Sequence, residues 1–85
     1  MDEIEKLFKI GEVMKYSRLS RQVINYYTQL GLIKEAKRTE AGHRLYDESV
    51  FKRLEKVKTL QNEGKALLEI KQILSGENAK GEGIA

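Results

Sequence analysis

Between Ser20 and Gly31 the apolar residues Val23, Ile24, Tyr27 and Leu30 recur at the i, i+1, i+4, i+7 spacing of an amphipathic helix. Arg21, Gln22, Asn25, Thr28 and Gln29 fall on the other side. Ser20 stands at the N-cap, where its hydroxyl can accept from an unpaired first-turn amide. Leu19 and Ile24 hold the two staple positions around that cap, and Gly31 is a left-handed stop. Upstream, Ile10, Val13 and Met14 predict a shorter helix over Gly11 to Tyr16, followed by a turn through Leu19. Downstream, strands are expected near Ile33–Lys37 and Arg44–Tyr46, with the hairpin tip at Ala41-Gly42.

Asp47 is the next N-cap, with Glu48 favouring the helix dipole in the first turn. Tyr46 and Phe51 again take the staple positions. Val50, Phe51, Leu54, Val57 and Leu60 predict a third helix ending near Glu63, before Gly64. Leu67, Ile70, Ile73 and Leu74 predict a fourth over Ala66 to Leu74. The resulting expectation is a mainly α domain: a winged helix-turn-helix of about four helices with a small β-hairpin wing. Residues 1–9 form a polar lead-in, 10–75 the domain, and 76–85 a flexible tail carrying Gly76, Gly81 and Gly83.

Charge sharpens this picture. Residues 15–46 carry seven Lys and Arg against Glu35 and Glu40, a net +5, whereas 47–85 carry equal numbers of each sign. The basic excess therefore coincides with the second helix and the hairpin, as phosphate contacts require. Composition excludes other chemistry. The chain has no cysteine and one histidine, so neither a disulfide framework nor a thiolate metal site is available. No apolar run reaches the roughly 18 residues of a membrane span, and no signal peptide is visible. A cytoplasmic, nucleoid-associated location is expected. No nucleophile–base constellation, paired carboxylate motif or glycine-rich phosphate loop occurs, so neither an enzyme nor a cofactor is expected.

The DNA-binding reading assigns residues by position. Two short helices joined by a tight turn place the second in the major groove, its N-terminal half toward base edges. Ser20, Arg21, Gln22, Asn25 and Tyr26 are the recognition-helix candidates. Arg can pair two acceptors on guanine, and Asn or Gln can pair adenine. Tyr27 belongs to the core, whereas Tyr26 lies at the edge of the polar face and can offer its hydroxyl to a phosphate. Lys37, Arg38, His43 and Arg44 are the wing candidates, able to follow the phosphate backbone or reach the minor groove. Lys15 and Arg18 are weaker backbone candidates.

Five blocks resemble the DNA-binding domain of MerR-type transcription regulators: FKIGEV (Phe8–Val13), SRQVINYY (Ser20–Tyr27), LGLI (Leu30–Ile33), RTEAGHRLY (Arg38–Tyr46) and EGKALLEIKQIL (Glu63–Leu74). The resemblance spans residues 8–74. It implies a winged helix-turn-helix whose Arg44 contacts phosphate, and a dimer on an inverted repeat of promoter or operator DNA. In that family the effector-bound dimer bends and untwists the DNA so that RNA polymerase can engage both promoter elements. Self-association on DNA and a polymerase contact are thus the further partners implied.

The sequence departs from the family pattern at several places. Asn25 stands where an Arg is usual, Thr28 replaces an acidic residue, and His43 replaces a wing Tyr. Lys65-Ala66 replaces an apolar residue and a capping Ser, which should weaken the fourth helix by about 1 kcal/mol. Leu68 takes a normally polar position and can cover a partner surface. The family's long dimerisation helix and effector domain lie beyond the resemblance, and both an excised domain and a shortened family branch fit that extent. Two other functions stay open: an excisionase-like or phage-packaging factor that positions DNA, and a protein-interaction adaptor derived from the same fold.

Overall fold

The computed structural model describes residues 6–81. Strand β1 (Leu7–Lys9) leads directly into helix α1 (Ile10–Ser17), and helix α2 (Arg21–Leu30) follows after a short turn. Strands β2 (Lys37–Arg38) and β3 (Arg44–Asp47) form the hairpin, before helices α3 (Ser49–Asn62) and α4 (Leu67–Gly81). The sheet order is β1-β3-β2, antiparallel throughout.

The helix limits follow from local chemistry. The backbone N–H of Lys9 donates to the Glu12 carboxylate at 2.9 Å and so closes the first turn of α1. At the other end Arg18 turns left-handed (φ 64°), and its N–H donates to the Met14 carbonyl at 2.7 Å. The Ser17 hydroxyl bonds back to the Val13 carbonyl at 2.6 Å and accepts from the Leu19 amide at 3.2 Å. This bonded turn fixes the entry into α2. There Ser20 Oγ accepts from the Val23 amide at 3.1 Å, fulfilling its expected capping role.

Gly31 ends α2 with φ 87°, and the amides of Gly31 and Leu32 return to the Thr28 and Tyr27 carbonyls. The expected strand at Ile33–Lys37 is shorter and later than the sequence suggests. Leu32 and Ile33 are both buried, which an alternating strand on a half-solvated sheet cannot achieve. Instead they wrap beneath α2, and Arg53 Nε secures the loop by donating to the Leu32 carbonyl at 2.8 Å. Only Lys37–Arg38 pair with β3.

Further boundaries are corrected. Residues 7–9 of the expected lead-in form a strand, with Phe8 paired to Tyr46 and Lys9 to Leu45. Three residues bounded by a helix carry too little periodicity to announce themselves; the free edge of β3 recruits them. Helix α4 continues to Gly81, past the expected limit at Leu74 and into the segment read as a flexible tail. Residues 82–85 of that segment, and 1–5 of the lead-in, lie outside the described residues. The fourth helix lacks a capping hydroxyl; Glu69 Oε1 accepts instead from the Ala66 amide at 3.4 Å, a different donor from the first-turn amide that a hydroxyl cap would meet. Helix α3 starts one residue later than expected, with Glu48 at its N-cap; Asp47 ends β3, and its carboxylate accepts from the Ser49 amide at 2.9 Å.

One apolar cluster joins the four helices, β3 and the loop after α2: Val13, Ile24, Tyr27, Leu32, Ile33, Tyr46, Val50, Leu54, Val57, Ile70 and Leu74. Phe8, Tyr16 and Phe51 extend it to the surface as edge-to-face aromatic pairs, with centroids 5.0 and 5.5 Å apart. Among the described residues no helix is long and apolar enough to cross a membrane.

Two glycines separate backbone need from accident. An alanine at Gly31 must hold a left-handed backbone, and its Cβ would lie 3.2 Å from Lys71 Cε. Gly31→Ala should therefore cost about 1–2 kcal/mol. Gly11 lies within α1 with open space around it, so Gly11→Ala should stabilise by up to about 0.5–1 kcal/mol. Urea unfolding of the two variants checks this; equal effects would mean that Gly31 is not required by its conformation.

Candidate nucleic-acid interface

The exposed side of α2 begins with Arg21 and Gln22, both solvent-accessible in its first turn. Asn25 follows one turn later and is half-buried, while Tyr26 is 50% exposed beside it. Ile24 and Tyr27 face inward, so the expected division between Tyr26 and Tyr27 holds.

The wing turns through Thr39–His43. The Thr39 amide donates to the His43 carbonyl at 2.9 Å, the Gly42 amide to the Thr39 carbonyl at 2.9 Å, and the His43 amide to Thr39 Oγ1 at 3.0 Å. Gly42 adopts φ 89°, so the expected tip position stands. Strand pairing places Arg38 opposite Arg44.

Alternation along β3 puts Arg44 and Tyr46 on one face, and both reach α2. Arg44 Nη1 donates to Asn25 Oδ1 at 2.7 Å. The Tyr46 hydroxyl lies 2.8 Å from Thr28 Oγ1, whose own hydrogen bond runs to the Ile24 carbonyl at 2.8 Å. Asn25 and Thr28 are i, i+3 neighbours, so one helical turn receives two alternate residues of one strand. Arginine has only donors, which obliges the Asn25 oxygen to face it and leaves the amide NH2 free to donate elsewhere.

An open groove of about 640 Å³ results between α1, α2 and the wing. It is lined by Arg21, Asn25, Arg38, His43 and Arg44, together with Lys9 and Glu12 at the start of α1. Five of the sequence-nominated residues thus share one concavity. Ser20, Gln22, Tyr26 and Lys37 are exposed on the flanking elements and do not line it. Lys15 is exposed on α1. Arg18 lines a second groove with Tyr16, Phe51 and Lys58, away from the other candidates.

The residue that sequence reasoning passed over is Glu35. Its carboxylate accepts from Arg38 through Nε at 2.7 Å and Nη2 at 3.2 Å, and from Arg44 Nε at 2.8 Å. Counted only as a charge offset within a basic segment, it is instead the partner of both wing arginines. An acid three residues before one Arg and beside its cross-strand neighbour was the available signal. Among the described residues there is no group of three or more His, Cys, Asp or Glu suited to hold a metal.

The chain matches the MerR HTH family regulatory protein family over residues 8–77. It is a member of the MerR HTH family. It is 40% identical over 67 residues to the mercuric resistance operon regulatory protein of Bacillus cereus, covering 79% of this chain and 51% of that one. It therefore spans about half the length of that relative. The solved N-terminal part of MtaN, the Bacillus subtilis multidrug transporter activator, superposes with a TM-score of 0.74 at 28% identity, over 79% of this chain and 63% of that one. HiNmlR, a MerR family regulator lacking the sensor domain and solved on promoter DNA, shares the fold with a TM-score of 0.71 at 22% identity, over 80% and 54%.

Asn25 and Thr28 are the α2 residues whose side chains hydrogen-bond to β3. His43 is exposed at the wing tip, and Leu68 is 66% exposed on α4.

The hydrogen bond from Arg38 holds the Glu35 carboxyl below its ordinary value of 4.5, outweighing the opposing desolvation, and the hydrogen bond from Arg44 adds a lesser lowering effect. A carboxylate with a lowered native pKa contributes stability above its unfolded pKa and loses it as pH falls through the native value. The wing tie should therefore be intact at neutral pH and persist below pH 4.5. An NMR titration of the Glu35 side-chain carbon should give a midpoint below 4.5; one at or above it would mean that the arginines do not hold the carboxylate in solution.

Proposed function

We propose that this chain is the double-stranded DNA-binding module of a MerR-type transcription regulator, with α2 in the major groove of promoter or operator DNA and the wing along the backbone. The reading is carried by the groove that gathers Arg21, Asn25, Arg38, His43 and Arg44 between α2 and the wing. A major groove about 12 Å wide admits one helix, and a basic hairpin beside that helix falls on the flanking phosphates. Family membership favours the same partner. The protein acts by binding rather than by catalysis, and its place of action is the cytoplasm, on the nucleoid.

Roles follow from the geometry. Arg21 offers a free guanidinium near the start of α2, suited to guanine O6 and N7. Asn25 presents NH2 donors, suited to an acceptor such as a purine N7. Arg38 and Arg44 meet phosphate, with His43 and Lys37 beside them; Gln22 and Tyr26 extend the contact along α2, and Ser20, Lys15 and Arg18 lie at its margin. One small module contacts few bases, so tight binding requires two copies on adjacent half-sites. Bending the site between them costs roughly 1–6 kcal/mol, which the paired contacts must offset. Contact with RNA polymerase belongs to the same reading.

Selection of bound duplexes from a random pool tests this. An enriched inverted repeat is expected; direct repeats would point to a DNA-positioning factor, and no enrichment at any salt would overturn the reading. Within the enriched site, Arg21→Ala should shift base preference by about 1–3 kcal/mol at one position. Arg44→Ala should weaken all sequences and lower the salt slope by about one unit. Titrations at several salt concentrations separate the two, and an equal loss on every sequence for Arg21→Ala would remove its base-reading role.

A further inference from the structure

Strand pairing sets Arg38 and Arg44 directly across from each other, where two guanidiniums repel. The Glu35 carboxylate bonds both, so the three side chains together carry a single positive charge. Its direction of approach decides what this does. Arg38 and Arg44 line the groove between α2 and the wing, whereas Glu35 lines a different concavity with Lys34, Asp47 and Arg53. Glu35 thus bonds both arginines without itself lining the groove between α2 and the wing.

It also grips them on one edge. Both bonds from Arg38, through Nε and Nη2, use the side edge of its guanidinium. Arg44 gives Nε to Glu35 and one Nη1 hydrogen to Asn25. Of five N–H donors each, the terminal forks keep donors for another acceptor. A free arginine must lose much of its rotamer freedom to meet a phosphate; these two are already ordered.

Resting on the DNA-binding reading, we propose that Glu35 is a specificity-determining positioning residue: it fixes the two wing guanidiniums with their forks toward the groove, and removes one charge of sequence-independent attraction. Ordering favours the one register in which phosphates meet both forks. Charge favours every register equally. Glu35 therefore increases discrimination at the expense of general affinity.

The test compares wild-type, Glu35→Gln and Glu35→Asp on the duplex enriched by wild-type and on a scrambled duplex of equal composition, across a salt series. Circular dichroism confirms folding. For Glu35→Gln, binding to the scrambled duplex should tighten, and the salt slope should steepen by about one unit. The ratio of the two affinities should fall roughly threefold to tenfold. Glu35→Asp keeps the charge but shortens the reach, so its slope should stay near wild-type while the ratio falls; this arm stands if the Gln variant does not fold. An unchanged ratio in both variants would overturn the proposal and reduce Glu35 to a stabilising ion pair. A rise in both affinities by one factor would overturn it too, marking Glu35 as a blocker of the arginines. Failure of wild-type to bind either duplex would instead bring down the DNA reading itself.

Discussion

Strand β3 is tied to helix α2 by the side chains of alternate residues on one face, and the shape of the groove between helix and wing depends on that tie. Tyr46 is fully buried and ends in a hydroxyl–hydroxyl bond to Thr28. Two residues earlier Arg44 reaches Asn25. A slip of one residue would turn both side chains to the opposite face and expose an aromatic ring, so burial of Tyr46 fixes the register of the wing. The same strand pairs with β1 on one side and β2 on the other. The orientation of the hairpin relative to the helix is thus set by the core.

Charge is arranged on top of this frame. The fold forces two arginines into a facing pair, and an exposed ion pair alone would contribute little. Glu35 matters because of its position: it bonds both guanidiniums at once without itself lining the groove. The basic residues that meet DNA in the proposed function are thereby ordered before any DNA arrives. The same reasoning explains Asn25. It gives up its oxygen to Arg44 and keeps its donors, which ties helix α2 to the wing through one hydrogen bond.

These ties meet in one turn of helix α2. Asn25 and Thr28, two unusual residues when read singly, both serve the α2–β3 contact. A longer charged side chain at position 25 would compete with Arg44 for the same space and repel it. Helix α4 starts without a hydroxyl cap, with Glu69 accepting from the Ala66 amide, and runs well past Leu74.

The sequence by itself determined the elements with strong local signals. Ser20 and Gly31 bound α2 because a hydroxyl cap and a left-handed glycine act within a few residues. Val23, Ile24, Tyr27 and Leu30 marked its inner face, and the Ala41-Gly42 tip marked the hairpin. The resemblance in five blocks reached the family. Tertiary structure decided what local signals do not carry. Strand β1 exists because β3 offers it an edge, and Leu32 and Ile33 leave the strand because the core takes both. The role of Asn25 was illegible for the same reason, and the local spacing of Glu35 and Arg38 showed only part of the role of Glu35. Each is defined by a partner 19 or 9 residues away, and hydrogen-bond geometry across that distance is fixed only once the core has set β3 against α2.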